Sequence, residues 1–580
     1  MAIEVLEKRY PSLAFLLTLE QNLPSPLFQI DKEKEALPPL DWDNLDVIYV
    51  YGIGQGVHYE WLKKWLSDNH ERDLVFLEEH LIALKQFLKT THAREVLSHS
   101  QVHIRLNLNW KNLSAFAEEC TASFPVEKIA VIAHPTYKRS FRSRFYRLRL
   151  MLHRKATVSH ALFHENRYYH HFIDHFLSNF CRIESSFDAN RLKGMFKGVP
   201  AIICGAGPSL TNDIETIRKR EDKALIFAGG SAIPALTHRG ILPHFGIAYD
   251  PNEDEFDRFK EANGYEVPIL YASRLNPSIF NTCNGPSGYL QSETGGCAEY
   301  WMEQHLNLAQ SPLQQGLTLE ALSVTTAALQ IACTYGCDPV ILVGVDLAFT
   351  NNQLYASGVL SGPIAPLEIR NKERCASEKL LMRRDERGAP ILTAVKWVME
   401  QSAILAFIKN NPQFTILNAT SGGLGFKPLP YTPLHTICLK QAQDLRGKVH
   451  HAIQNARFTI PTGQVKALLF SLKESLDAAA TCVSNALQEL EIIKKEEKDP
   501  ETGPLILAEI ELEALEAYTA FLQPFDVAFP VLVERRYRPS PFRPISFLLK
   551  WKIAHFRWTS YRDLIQFYQE KILALLTENT

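Results

Sequence analysis

Short apolar runs alternate with amphipathic segments along the middle of the chain. Six of these runs are rich in Ile, Val, Leu, Phe and Ala, and their length is typical of buried strands. They lie at residues 199–204, 224–228, 245–249, 268–271, 339–345 and 414–417. Helical patterns separate them, notably at 323–334 and 394–409. The alternation predicts a mostly parallel sheet with helices on both faces, so we expect an α/β core over residues 196–430.

The N-terminal region repeats the pattern on a smaller scale. An apolar strand at 46–51 runs into the glycine turn Gly52–Gly56, and a second strand at 73–77 ends at Glu78. A glycine turn with an acidic residue at the end of the next strand is the arrangement that binds ribose hydroxyls in Rossmann folds. We therefore expect a Rossmann-like domain over residues 1–135. It either binds a nucleotide or S-adenosylmethionine, or is a scaffold without cofactor.

The remaining segments are helical in pattern. Residues 138–155 carry eight basic side chains and no acid, which predicts a solvated face or a contact with an anionic partner. Long helical periodicities at 465–495, 505–522 and 545–576 predict a C-terminal helical bundle. The fold class we expect is α/β, with a Rossmann-like domain, a central α/β domain and a helical domain. The four segments of this division are 1–135, 136–195 (a basic helical connector), 196–430 and 431–580.

Composition and charge narrow the possible partners and cellular location of the chain. Over 580 residues the formal net charge is −2, so the charge balance gives no case for a nucleic-acid partner. No apolar run approaches the ~20 residues that span a bilayer, and the N-terminus lacks a signal-peptide pattern. The ten cysteines are scattered, and Cys333 and Cys337 have no second pair at zinc spacing. We expect a reduced cytoplasmic protein without a transmembrane segment.

The strongest motif, Gly205–Leu210, follows the first strand of the core. Its two glycines permit close approach of a ligand, and its proline suits the first turn of a helix predicted over 211–220, whose amides would attract phosphate. Asp250 and Asp346 each end a later strand, and Ser323 begins a helix. Ligands of open α/β sheets bind at the carboxyl ends of strands, so we expect these residues to meet at one edge.

In this order the segments resemble the motility accessory factor (Maf) family of flagellin glycosyltransferases, which is related to bacterial sialyltransferases. The resemblance covers residues 180–425. It rests on Ile202–Leu210, Ile241–Pro243 leading to Asp250, Ser323–Thr326, Tyr335–Cys337 leading to Gly344–Ala348, and Thr393 with Asn418–Gly423. Hydroxymethylpterin diphosphokinases of the methanopterin pathway share the same core pattern.

The resemblance implies a sialyltransferase-like, GT-A-type central domain. Such a domain would transfer a nonulosonic acid from its CMP-activated form to a Ser or Thr hydroxyl of a protein such as flagellin. No cofactor is required, because CMP is a good leaving group. The donor-binding residues implied are Gly205, Ala206, Gly207, Pro208, Ser209, Ser323, Thr325, Thr420 and Gly422. The residues assigned to catalysis are Asp250, Asp346 and Tyr355.

Two alternatives stay open. A diphosphokinase would need Mg²⁺, with Asp250 and Asp346 as its ligands. A non-catalytic scaffold with a relict nucleotide pocket fits the absence of histidine from residues 361–395, where sialyltransferases place their base. The general base is unassigned, with Tyr355, Asp385 and Glu386 as candidates. The partners expected are the sugar nucleotide and the acceptor protein, and self-association is an open alternative.

Overall fold

The chain divides into two compact units, the first ending at Phe163 and the second beginning at His164. The structure, a computed structural model, describes residues 2–19, 41–106, 110–121, 124–260, 266–291, 296–308, 323–359, 380–439, 442–500, 503–537 and 546–578. The boundary between the units falls within the predicted connector 136–195. The predicted four-segment division of the chain stays a prediction.

Unit 1 is built on a four-stranded parallel sheet within the described residues. Its strands are β1 (Val47–Tyr51), β2 (Asp73–Glu78), β3 (Val102–Leu106) and β4 (Ile129–Ala133), in the order β3-β2-β1-β4. Every residue of β1 and β4 is buried, as expected of a sheet covered on both faces. The parallel sheet expected of this region is present, and its description as a Rossmann-like domain over residues 1–135 stays a prediction.

Eight helices accompany this sheet in the described chain, the last of them running across the unit boundary. They are α1 (Ala2–Arg9), α2 (Pro11–Leu19), α3 (Val57–Asp68), α4 (Leu81–Phe87), α5 (Ala93–Ser98), α6 (Leu113–Thr121), α7 (Pro135–Ser140) and α8 (Arg142–Arg167).

Unit 2 contains an eight-stranded parallel sheet within the described residues. Its strands are β5 (Phe187–Asp188), β6 (Ala201–Cys204), β7 (Leu225–Gly229), β8 (Phe245–Ala248), β9 (Ile269–Tyr271), β10 (Ser287–Tyr289), β11 (Val340–Val343) and β14 (Ile416–Asn418). They are ordered β14-β11-β6-β7-β8-β9-β10-β5. An antiparallel hairpin, β12 (Leu380–Arg384) and β13 (Pro390–Ala394), precedes the last strand.

The strand order decides what can meet at the carboxyl edge of this sheet. β6 lies between β11 and β7, so the turn that follows it is flanked by the segments that follow those two strands. The six predicted strands are all present. The structure adds β5, β10 and the hairpin, which sequence patterning did not predict.

Twelve helices complete the described part of unit 2. They are α9 (Tyr169–Arg182), α10 (Ile214–Arg218), α11 (Ala232–Thr237), α12 (Glu253–Phe259), α13 (Gly296–His305), α14 (Val324–Thr334), α15 (Val395–Asn410), α16 (Leu445–Asn455), α17 (Gln464–Glu496), α18 (Gly503–Glu513), α19 (Gln523–Tyr537) and α20 (Phe547–Glu578).

The C-terminal helices pack along two long partners, α17 and α20. Leu472, Leu476 and Leu490 of α17 are buried, and the Trp551 indole N–H of α20 donates to the Leu490 carbonyl at 2.9 Å. The predicted helix at 505–522 ends at Glu513 instead, before a π-helical turn. The α/β class with parallel sheets and C-terminal helices is confirmed. Across the described ranges, no helix is both long and apolar enough to cross a membrane.

Candidate functional site at the carboxyl edge of the unit 2 sheet

The glycine turn after β6 is fastened to the end of β11. The Gly205 N–H donates to the Val343 carbonyl and the Gly207 N–H to the Gly344 carbonyl, each at 2.8 Å. A Cβ on Gly205 would lie 2.5 Å from the Gly344 oxygen, and one on Gly207 would overlap the Asp346 carboxylate. Close approach of the neighbouring segment therefore leaves no room for a side chain at either glycine.

Asp346 clamps this turn from the end of β11. Its carboxylate is 2% exposed, and it accepts the Ser209 amide at 3.1 Å and the Ser209 hydroxyl at 2.5 Å, each on a different oxygen. Burial raises the pKa of Asp346, while hydrogen bonds from Ser209 and Thr350 act to lower it. Asp346 therefore holds the turn in place, and Ser209 occupies both of its oxygens.

The chain after the turn differs from the sequence prediction. It forms a 3-10 turn over Pro208–Asp213 and then the short helix α10, so the helix predicted over 211–220 is present only at 214–218. The Ser209 amide is bound by Asp346, and the Leu210 N–H donates to the Gly207 carbonyl at 3.0 Å. The first amides of this segment are thus used within the protein, and no open helix start is formed for an anion.

The loop after β14 packs against the same clamp. The Thr420 hydroxyl accepts the Val345 N–H at 3.2 Å, and the Leu424 N–H donates to the Asp346 carbonyl at 2.9 Å. Gly423 has a φ of +79° and lies so close to the Asp346 backbone that a Cβ would overlap it. A Cβ on Gly422 would lie 3.2 Å from the Ser209 Cβ. The loop therefore lies directly beside the glycine turn.

Several backbone donors remain open where the turn and the loop meet. Among the hydrogen bonds of the described chain, none has the N–H of Ala206, Ser421, Gly422 or Gly423 as its donor. Ala206, Ser421 and Gly422 are half-exposed. Successive open amides that include a left-handed residue form a concavity suited to anions. Three of these four amides belong to half-exposed residues, and the fourth, Gly423, is buried.

The structure thus brings eight of the predicted site residues together. They are Gly205, Ala206, Gly207, Pro208, Ser209, Asp346, Thr420 and Gly422. Asp346 and Ser209 form the buried base of the group, and the open amides form its half-exposed surface. Their roles toward a ligand stay predictions.

Ser323 is the N-cap of α14 and belongs to a capping box. Its hydroxyl accepts the Thr326 N–H at 3.1 Å, and the Thr326 hydroxyl accepts the Ser323 N–H at 3.1 Å. The Ser323 hydroxyl also donates to Glu400 of α15. The hydroxyl predicted to face a donor phosphate is therefore engaged within the protein. Thr325, in the first turn of α14, is half-exposed.

Asp250 and Tyr355 lie at different distances from the glycine turn. Asp250 follows β8, which β7 separates from β6, and one of its oxygens accepts the Asn252 N–H at 3.0 Å. Tyr355 is half-exposed, and the N–H of the next residue, Ala356, donates to the Ala206 carbonyl at 2.8 Å. The structure places Tyr355 next to the turn and Asp250 two strands away from it.

The two other candidate bases lie in the hairpin turn. Asp385 accepts the Ala389 N–H at 2.8 Å and so closes that turn. Glu386 reaches the loop after β14, where its Oε1 accepts the Asn418 side-chain amide and the Phe426 N–H, both at 3.2 Å. Glu386 therefore supports the loop that carries the open amides.

Glu400 was missed by sequence reasoning. Burial raises its pKa to about 7, while the hydrogen bond from Ser323 and the charge of Lys396 act to lower it. Glu400 is the only acid in the sequence of α15. An isolated carboxylate in an otherwise apolar helix stretch was the signal that could have found it.

The glycine turn of unit 1 is filled by its own chain. Glu78 is 1% exposed and accepts the Ile53 N–H at 3.0 Å and the Tyr137 hydroxyl at 2.6 Å. It also accepts the N–H groups of Glu79 and His80, both at 2.9 Å. The carboxylate that sequence reasoning offered to a ribose therefore has four donors from the protein itself.

The basic connector offers no metal site. Lys155 pairs with Glu118 at 3.0 Å, and Arg142 lies 5.8 Å from the centre of the Tyr146 ring. His171, one of the histidines at helical spacing, stacks on Tyr168 with ring centres 6.0 Å apart. Within the described ranges, no group of three or more His, Cys, Asp or Glu residues is arranged to hold a metal ion.

Comparisons with known proteins concern this site directly. Residues 174–352 match the family model "6-hydroxymethylpterin diphosphokinase MptE-like". The predicted resemblance to the hydroxymethylpterin diphosphokinase core is confirmed over this segment. It contains the glycine turn, Asp250, Ser323 and Asp346, and it ends before the loop that carries the open amides.

Two individual proteins are also similar. An uncharacterized protein of Treponema pallidum (strain Nichols) is 49% identical over 51 residues, which are 9% of this chain and 24% of that protein. The chain therefore spans about a quarter of the length of this relative. The structure of a Maf glycosyltransferase from Magnetospirillum magneticum AMB-1 aligns with a TM-score of 0.49 at 12% identity, covering 99% of this chain and 98% of that one.

Proposed function

We propose that unit 2 binds a CMP-activated nonulosonic acid and transfers the sugar to a Ser or Thr hydroxyl of an acceptor protein. The observation that carries the proposal is the set of open amides of Ala206 and Ser421–Gly423 beside the Asp346–Ser209 clamp. Such amides bind a phosphate through fixed partial charges, without a metal. In this proposal the central domain is sialyltransferase-like and acts in the cytoplasm.

The placement of the acidic residues favours this metal-independent chemistry. Asp250 follows β8 and Asp346 follows β11, with β6 and β7 between them. Three strand spacings correspond to roughly 14 Å, whereas Mg²⁺ holds each of its ligands at about 2 Å. Ser209 already occupies both oxygens of Asp346. These two carboxylates do not fit a shared Mg²⁺ ion, so no step is assigned to a metal.

The transfer follows from the positions of the chain's own groups. The open amides hold the CMP phosphate and stabilise the charge it gains when the bond from the sugar's anomeric carbon to phosphate oxygen breaks. Asp346 fixes the glycine turn through Ser209, and Glu386 fixes the loop through Asn418. The Ala206 amide of the turn and the amides of the loop therefore keep their positions when the phosphate binds. The acceptor oxygen then bonds to the anomeric carbon, and its proton passes to a base.

The family match favours one other candidate, a diphosphokinase that uses ATP with Mg²⁺. A direct comparison separates the two. Thermal unfolding is measured with CMP alone and with ATP plus Mg²⁺. A ligand at 100 times its Kd stabilises by about 2.7 kcal/mol. Stabilisation by CMP alone supports the transferase, and stabilisation only by ATP plus Mg²⁺ contradicts it. No response to either ligand favours a scaffold with a relict pocket.

A matched pair of variants tests the open amides themselves. Ser421 is half-exposed, and its hydroxyl accepts the Asn212 side-chain amide at 3.1 Å. Ser421→Asp places a carboxylate beside the amides, so we expect CMP affinity to fall at least tenfold, or about 1.4 kcal/mol. Ser421→Asn has the same shape without the charge and should bind within about threefold of the parent. Equal CMP affinity of both variants would show that the CMP phosphate does not bind at this loop.

A further inference from the structure

Glu400 is the single acidic residue in the sequence of α15, a helix whose residues are mostly apolar. It lies in the second turn of α15 and is half-buried, and the Ser323 hydroxyl at the start of α14 donates to it. The sequences of α14 and β13, which pack against α15, contain no Lys, Arg, His, Asp or Glu. Lys396, one turn earlier on α15, supplies the charge that acts on it.

Two contacts locate Glu400 relative to the sheet. On one side its partner Ser323 precedes Val324, whose side chain lies against the backbone of Gly229 at the end of β7. On the other side Trp397, one turn before Glu400, contacts Phe349, which follows Asp346 by three residues. Glu400 thus lies between one residue whose neighbour contacts the end of β7 and another that contacts the segment after β11.

β6 is the strand that lies between β7 and β11. The register pairs Cys204 of β6 with Ala228 of β7, so Gly205 and Gly229 stand at the same level of the sheet. Glu400 therefore lies at the level of the glycine turn, on the face of the sheet covered by α14 and α15.

We propose that Glu400 is the general base of the transfer, an assignment that rests on the proposed function. Its carboxylate removes the proton of the acceptor hydroxyl as that oxygen bonds to the anomeric carbon. The bond from the anomeric carbon to the phosphate oxygen breaks, and its electron pair leaves with CMP. Ser323 is a positioning residue that orients the carboxylate through its hydroxyl.

The electrostatic surroundings suit this role. Burial raises the pKa of Glu400 to about 7, so the group takes up and releases a proton near neutral pH, where a general base is most effective. Asp385 is engaged in its hairpin turn, and Glu386 accepts two hydrogen bonds from the loop after β14. Glu400 accepts one hydrogen bond, from a hydroxyl.

The closing experiment follows the titration of Glu400 itself. Protein labelled with ¹³C at the glutamate carboxyl carbons is titrated with and without CMP, and Glu400→Gln identifies the resonance by its disappearance. We expect a pKa near 7 that rises by at least half a unit when the CMP phosphate binds nearby. A Glu400 pKa below 5, or CMP binding that leaves the titration unmoved, would overturn the assignment. Absence of CMP binding in the parent would instead reject the proposed function.

Kinetics with CMP-N-acetylneuraminic acid as the probe donor and water as the acceptor, whose proton Glu400 removes, provide a second measurement. The rate of CMP release should rise through pH 7, and Glu400→Gln should lower it by 10²–10⁴-fold and remove that rise. Ser323→Ala and Lys396→Met each remove a group that lowers the pKa of Glu400, so both should shift the rise to higher pH. A Glu400→Gln variant that keeps the parent rate, or that loses thermal stabilisation by CMP, would contradict the assignment.

Discussion

The glycine turns of the two units are alike in sequence and differ in what covers them. In unit 1 a Cβ on Gly52 would lie 2.5 Å from the Tyr137 ring, and one on Gly54 would overlap the His134 ring. In unit 2 the turn is bounded by Gly344, Val345 and the Asp346 carboxylate, which follow β11, and Ala206 within it stays half-exposed. Side chains of the protein fill the first turn, whereas the second keeps a half-exposed residue whose amide donates no hydrogen bond within the described chain.

The acidic residue beside each turn shows the same contrast. Glu78 draws its four donors from three backbone amides and a tyrosine, and one of those amides, Ile53, belongs to the turn itself. Asp346 takes both of its donors from Ser209 and leaves the Ala206 amide open. A strand, a glycine turn and an acid therefore predict a fold. Whether they bind a ligand depends on which donors remain unused.

The largest expected effect is in unit 1. Glu78→Gln keeps the shape of the side chain but replaces one accepting oxygen with an NH₂ group that faces backbone N–H donors. We expect a loss of about 3 kcal/mol in the free energy of unfolding of unit 1, because buried donors lose their acceptor. Denaturant unfolding with hydrogen exchange at Ile53 and His80 measures it.

The control for Glu78→Gln is the CMP response of unit 2, which this change should leave intact. Tyr137→Phe removes one donor and should have a smaller effect on unit 1 than Glu78→Gln. Parent-like stability of Glu78→Gln would mean that the four hydrogen bonds do not hold the turn.

The equivalent change in unit 2 is Asp346→Asn. The asparagine oxygen can keep one of the two hydrogen bonds from Ser209, and its NH₂ group then opposes the other donor. We expect a loss of about 2 kcal/mol in stability, together with loss of CMP binding as the turn loosens. Differential scanning calorimetry with and without CMP measures both. Full CMP binding at reduced stability would show that the clamp is not needed for the ligand surface.

Much of the fold could be predicted because most strands are long enough to show their burial. The apolar runs at β6, β7, β8 and β11 were found within a few residues of their ends. β5 was not found, since it has two residues, and β10 was not found, since its sequence, Ser-Gly-Tyr, contains no apolar run. The hairpin β12–β13 was missed because its residues are mostly exposed or half-exposed and lack an apolar run.

The candidate site was predictable in part for a related reason. Motif residues that follow strands were placed at the right edge, since a parallel sheet gathers its carboxyl ends. Which donors stay open could not be predicted, because the Asp346–Ser209 hydrogen bonds join positions 137 residues apart. Glu400 was missed for the same reason, as its contact with Ser323 spans 77 residues.

Two neighbouring carboxyl groups in unit 2 share one tyrosine hydroxyl, and Ser273 also hydrogen-bonds to one of them, Glu299. Glu299 and Glu303 of α13 both contact the Tyr289 hydroxyl, at 3.1 and 2.9 Å. A phenol has one hydrogen, so one of the two contacts is satisfied only when a carboxyl group supplies a proton. Burial raises the pKa of Glu299 to about 7, and burial with the charge of Glu299 raises that of Glu303 to about 8.

This cluster yields the smallest effect and a sign that can be worked out. Both pKa values lie above the ~4.3 of an unfolded glutamate, so the folded protein holds more protons between these values and loses stability as pH rises toward 8. Glu303→Gln supplies a permanent N–H donor to Tyr289. We expect it to be more stable than the parent at pH 9, by about 1 kcal/mol or more, and equal to it at pH 5. Urea unfolding across pH measures this, with the exposed Glu474→Gln as a control that should leave the profile unchanged. A parent-like slope in Glu303→Gln would show that the two carboxyl groups share no proton and that a single tyrosine donor suffices for both.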